Sequence, residues 1–77
     1  MSAGGLKAED GAQFFGRVEL IDEDKFRASC FARIDRKQNL STEEPKTRMF
    51  TTANEAEDWI SYQAQRRGFA KYHLLPA

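Results

Sequence analysis

From Phe14 to Ile21 the chain alternates in part. Phe14, Val18 and Leu20 fall on one side with Gly16 among them, and Phe15, Arg17, Glu19 and Ile21 fall on the other. Period-two alternation is the mark of a strand with one buried side. A glycine inside such a strand signals a bulge or a close approach by another part of the chain. The acidic stretch Asp22-Glu23-Asp24-Lys25 is short enough to be a turn, so an antiparallel hairpin is expected. Phe26 to Asp35 is the clearest strand. Phe26, Ala28, Cys30, Ala32 and Ile34 share one side, and Arg27, Ser29, Phe31, Arg33 and Asp35 share the other. The first set is apolar and mostly small, while the second is largely charged, which predicts one face on a core and one in water.

Arg36 to Pro45 is polar and reads as a long loop. Ser41 and Glu44 have capping-box spacing, but Pro45 limits any helix there to a single turn. Lys46 to Phe50 predicts a short third strand, with Pro45 at its start suiting an edge. Thr52 with Glu55 is a stronger capping box, and Ala56, Trp59, Ile60, Gln63 and Ala64 then recur at helical spacing as an inner stripe. Arg66 and Arg67 suit the last turn and Gly68 a left-handed stop, so the helix is expected over about residues 53–67. Residues 1–12 are Gly, Ala, Ser and charge, and read as a flexible tail. Residues 69–77 are apolar enough to pack back onto the sheet or onto a second chain. The fold class that follows is α+β: a three-stranded antiparallel sheet packed on one C-terminal helix, with residues 13–77 as a single domain carrying an apolar C-terminal extension. Its expected core is Phe14, Val18, Leu20, Phe26, Cys30, Ile34 and Phe50 with Ala56, Trp59 and Ile60.

Composition narrows the function. A chain of 77 residues has room for one domain. Twelve Lys and Arg balance 12 Asp and Glu, which excludes attachment to nucleic acid by bulk charge and leaves only local asymmetry to matter. One cysteine, Cys30, and one histidine, His73, exclude an internal disulfide and a cysteine-built zinc site. Cys30 sits on the core side and reads as a structural thiol. His73 has no acidic neighbour in sequence, and Glu55, Glu57 and Asp58 are explained by the helix dipole. Gly4-Gly5 lacks the strand and helix a phosphate loop needs. The chain therefore lacks the usual parts of an enzyme, and no cofactor or metal is expected. No apolar run approaches the roughly 18 residues of a membrane span, and the start lacks a secretory signal, so a cytoplasmic protein without membrane contact is expected.

Strand, strand, strand and helix in that order, with Phe50-Thr51-Thr52-Ala53-Asn54-Glu55-Ala56-Glu57-Asp58-Trp59 at the last junction, resembles two families. These are the N-terminal, arm-type DNA-binding domains of tyrosine-recombinase integrases and the ethylene-responsive-factor domains. The resemblance covers about residues 14–67 and implies DNA binding in the major groove through the open face of the sheet. It implies Arg17, Arg27 and Arg33 as contacts, joined by Arg48 or Lys46. Phe15 and Phe31 fall on the same face, where they read as stacking platforms for unpaired bases or as an apolar patch for a protein. Glu19 and Asp35 on that face depart from the pattern as cross-strand partners for the arginines, and the neutral charge with Phe15, Phe31, Leu74 and Leu75 points instead to a protein partner or a homodimer using the same surface and the apolar tail. Trp59 belongs to the helical inner stripe and is expected in the core.

Overall fold

The computed structural model describes residues 11–36 and 39–76, so ten residues of the expected N-terminal tail lie outside the described part. Its elements are β1 (Gln13–Asp22), β2 (Lys25–Arg36), β3 (Asn39–Thr42), β4 (Lys46–Phe50), α1 (Ala53–Arg66) and β5 (His73–Leu74). β2 is the organising strand. One edge pairs antiparallel with β1, from Gln13↔Arg33 to Leu20↔Phe26, before the register slips between Leu20 and Asp22. The other edge is shared: β4 pairs with Phe26–Cys30, and β3 with Arg33–Arg36. β5 then joins the free edge of β1 in parallel, Phe15 opposite His73. Five strands thus occupy four positions in one mixed sheet.

This corrects the expectation of three antiparallel strands. The expected loop over 36–45 contains β3, the return arm of a hairpin on β2 (residues 37–38 lie outside the described part), and Ser41 sits in that strand rather than at a helix start. The interruption between β3 and β4 is mended by one residue. Glu43 donates its N–H to the Ala32 carbonyl at 3.2 Å, and its carboxylate accepts the Ala32 N–H at 2.9 Å. A side chain thereby supplies the rung that a broken strand would leave unmade.

The helix forms where the sequence predicts it, for local reasons. Thr52 Oγ1 accepts from the Glu55 N–H at 3.1 Å, and Glu55 Oε1 accepts from Thr51 Oγ1 at 3.0 Å. At the other end Gly68 adopts φ +85, the Phe69 N–H donates to Ala64 O and the Gly68 N–H to Gln65 O. That is the paired closure of a Schellman motif, with Phe69 buried against the last turn.

Small residues let the helix lie close to the sheet. Gly16, Ala28, Cys30 and Ala32 form the floor, and Ala56, Ile60 and Ala64 face them, all buried. Gly16 is required by this contact: a Cβ there would stand 2.6 Å from Ile60 Cγ2. The bulk comes from Phe14 and Phe69, whose rings lie 5.1 Å apart, and from Ile34. The helix crosses from β4, where Trp59 meets Phe50 at 5.9 Å, to β1, where Ile60 meets Gly16, and Phe69 just beyond its end packs on Phe14. Leu20 lies beyond that diagonal and is 65% exposed, so it is not a core residue. Val18, Phe26, Phe50 and Trp59 are only partly buried at the core margin, as is Ala12, which packs on the core although it was expected in the flexible tail.

Candidate binding surface

Residues opposite one another in a sheet point the same way, so the register assigns every strand side chain to a face. Phe15 with Phe31, Arg17 with Ser29 and Glu19 with Arg27 lie on the face away from the helix, as does Arg33 opposite Gln13. Five of the six expected contact residues are thus brought together. Arg48 is not among them. It pairs with the buried Ala28, on the helix side, and its guanidinium lies 5.5 Å over the Phe50 ring. Alternation already requires this: Arg48 is two residues from Phe50, so Phe50 on the helix side takes Arg48 to the same face. Lys46, opposite Cys30, follows it.

The five do not form a uniform basic face. Arg27 donates through Nε and Nη2 to Glu19 Oε1 at 3.1 and 2.9 Å, a cross-strand ion pair. Arg33 lies 5.3 Å over the Phe15 ring. Phe15 also stacks on Phe31 at 5.4 Å and meets the His73 ring at 5.4 Å. The Phe15 ring is therefore surrounded on this face, and both phenylalanines are half-buried. Arg17 is exposed, with no ion pair among the described residues.

The C-terminal segment borders this face without covering it. The Leu75 N–H donates to Gly16 O at 2.7 Å, which fixes the segment along the β1 edge. The result is an open groove of about 290 Å³ running across the strands. Arg17, Ser29 and Phe31 form its floor, Leu75 one wall and Pro45 and Thr47 the other, with the Glu19–Arg27 pair beside them. Leu75, Pro45 and Thr47 carry no signal of this role in sequence, because only the tertiary pairing of β4 and β5 brings them to the rim.

On the helix side, Arg67 grips Glu43 with both terminal nitrogens at 2.6 Å and lies 5.5 Å over the Phe14 ring. Cys30 is buried, and desolvation pushes its thiol up from 9.0 to about 11, against the lowering influence of Arg67 and Lys46. A thiol so placed is protonated at neutral pH and is a poor nucleophile. Among the described residues no group of three or more His, Cys, Asp or Glu is arranged to hold a metal ion, and no helix is long and apolar enough to cross a membrane. No family model, no curated protein and no solved structure matches the chain.

Proposed function

We propose that the chain is a small, non-enzymatic, cytoplasmic binding module that docks a polypeptide on the outer face of its sheet. The observation that carries this reading is the groove between Leu75 and Pro45: apolar walls, a Phe31 floor, and Arg17, a cation with no ion pair among the described residues. That is the composition of a site for an apolar side chain with a carboxylate near it. A duplex would need several cations free to meet phosphates. Here Arg27 is held by Glu19 and Arg48 lies on the other side of the sheet. The single buried thiol also suits a reducing compartment.

The resemblance to integrase arm domains and ethylene-responsive-factor domains supports the rival reading, DNA on the same face, with Arg17 and Arg33 as its carriers. Two titrations of isotope-labelled protein separate the two. Peptides selected from a random library against the chain are expected to shift the amides of Arg17, Ser29, Phe31 and Thr47, and to lose binding in Arg17→Glu. Duplex and single-stranded oligonucleotides at low salt are expected to give no saturable shift. Saturable oligonucleotide binding on the same amides, with no peptide binding, overturns the polypeptide reading in favour of DNA.

A further inference from the structure

The β1–β2 hairpin ends in a feature that the fold itself does not use. The register of β1 slips between Leu20 and Asp22, taking Ile21 out of the pairing. Leu20 and Ile21 are then 65% and 47% exposed, two adjacent aliphatic side chains at the end of a strand. Bulges of this kind re-aim side chains, and neighbouring exposed aliphatics are unfavourable unless something covers them. The turn that follows holds Asp22, Glu23 and Asp24 against a single Lys25, and the Asp22 carboxylate fixes it by accepting the Glu23 N–H at 2.8 Å. The tip is therefore apolar, negatively charged and held in shape.

The outer-face groove has the complementary chemistry. Pro45 and Leu75 offer apolar walls and Phe31 an apolar floor for an aliphatic side chain, and Arg17 offers the cation. The tip cannot reach the groove of its own chain. Arg17 and Leu20 lie on the same strand, about 10 Å apart at the usual rise per residue, and the strand is pinned to β2 along that length. The match can be made only between molecules. We propose that the groove of one copy receives the hairpin tip of a second copy, Leu20 and Ile21 entering between Leu75 and Pro45 and the turn carboxylates facing Arg17.

This names the partner for the docking face proposed above and rests on that reading. The contact joins two different surfaces, so it is head-to-tail, and each added copy leaves a free groove at one end and a free tip at the other. A contact through one hairpin tip and one groove is expected to be weak and reversible. Pairing through β4 is disfavoured by contrast, because Lys46 and Arg48 of two copies would meet along that edge.

The test uses complementary variants of the full chain. Leu20→Ser with Ile21→Ser removes the tip, and Arg17→Glu reverses the groove's charge. All three positions are exposed, so both proteins should keep the parent's thermal melting. Sedimentation velocity on the parent from micromolar to millimolar concentration is expected to show a mass rising past the dimer, reduced by added salt. Each variant alone should remain monomeric. Mixed, they should form a dimer that grows no further, because one supplies only a tip and the other only a groove. A parent that stays monomeric throughout, one that stops at a dimer, or a mixture that stays monomeric overturns the proposal. In those cases the peptide titration still judges the docking face by itself.

Discussion

At the scale of single residues, burial and contact geometry set the expected costs. Phe14 is 1% exposed and packs against the tilted Phe69 ring, so Phe14→Ala should lose about 3–5 kcal/mol in urea unfolding. Trp59→Ala should lose clearly less, because Trp59 is half-buried and lies at the core margin. Gly16→Ala puts a methyl group into Ile60 Cγ2 and should lose about 1–3 kcal/mol by overpacking. In an Ile60→Ala background the same change should be nearly neutral, and a double-mutant cycle would read that coupling. Cys30 gives a pH signature. Its folded thiol is raised to about 11 from 9.0, so between those values the unfolded chain ionises while the folded chain does not. Stability should fall as pH rises through that window, and Cys30→Ala should flatten the fall. Residues whose roles are set by near neighbours were legible in the sequence: Thr52, Ile60 and Gly68 stand where spacing placed them. Leu20 shares the parity of Phe14 but not its burial, because the diagonal path of the helix is decided by packing and alternation carries no trace of it.

At the scale of elements, two closures hold the helix to the sheet. Gly68 at φ +85 has no atom within 4 Å of where a Cβ would sit, so Gly68→Ala should lose about 1–2 kcal/mol from backbone strain alone. The Glu43–Arg67 pair ties the helix end to the break between β3 and β4 while Glu43 also serves Ala32. Glu43→Ala leaves a guanidinium and an amide N–H without that acceptor, and thermal melting should show a loss of about 1–3 kcal/mol. Glu43→Gln keeps an oxygen for the Ala32 N–H and should lose less. β1, β2, β4 and α1 were readable from periodicity and caps. β3 was not: Asn39-Leu40-Ser41-Thr42 has a single apolar residue, and it is a strand because β2 continues past β4 and offers an edge there. β5 is two residues long and owes its conformation wholly to β1.

At the scale of the whole molecule, the sheet gathers charge unevenly although the chain is neutral. Asp22, Glu23 and Asp24 in the hairpin turn stand at the same end as Glu55, Glu57 and Asp58 of the helix start, while Arg33, Arg66 and Arg67 stand towards the other. Neutral composition was legible, but this separation along the strands depends on how the helix is laid back over the sheet. The outer face was legible as a surface, since alternation alone gathers Phe15, Arg17, Phe31 and Arg33. Its groove was not, because both walls come from tertiary pairing. Removing residues 71–77 strips β5 from β1 and takes away Leu75, so the shortened chain should scatter light and aggregate through the bared β1 edge where the parent does not. That edge has a history within each molecule. β1 and β2 can zip together through a two-residue turn as soon as both have left the ribosome, but Phe15 must wait for His73, far along the chain, before its outer side is guarded. Throughout that interval a nascent chain presents a paired, half-finished sheet with the β1 flank open, and a chaperone or a slow stretch of codons after residue 36 would bear directly on how much soluble protein the cell obtains.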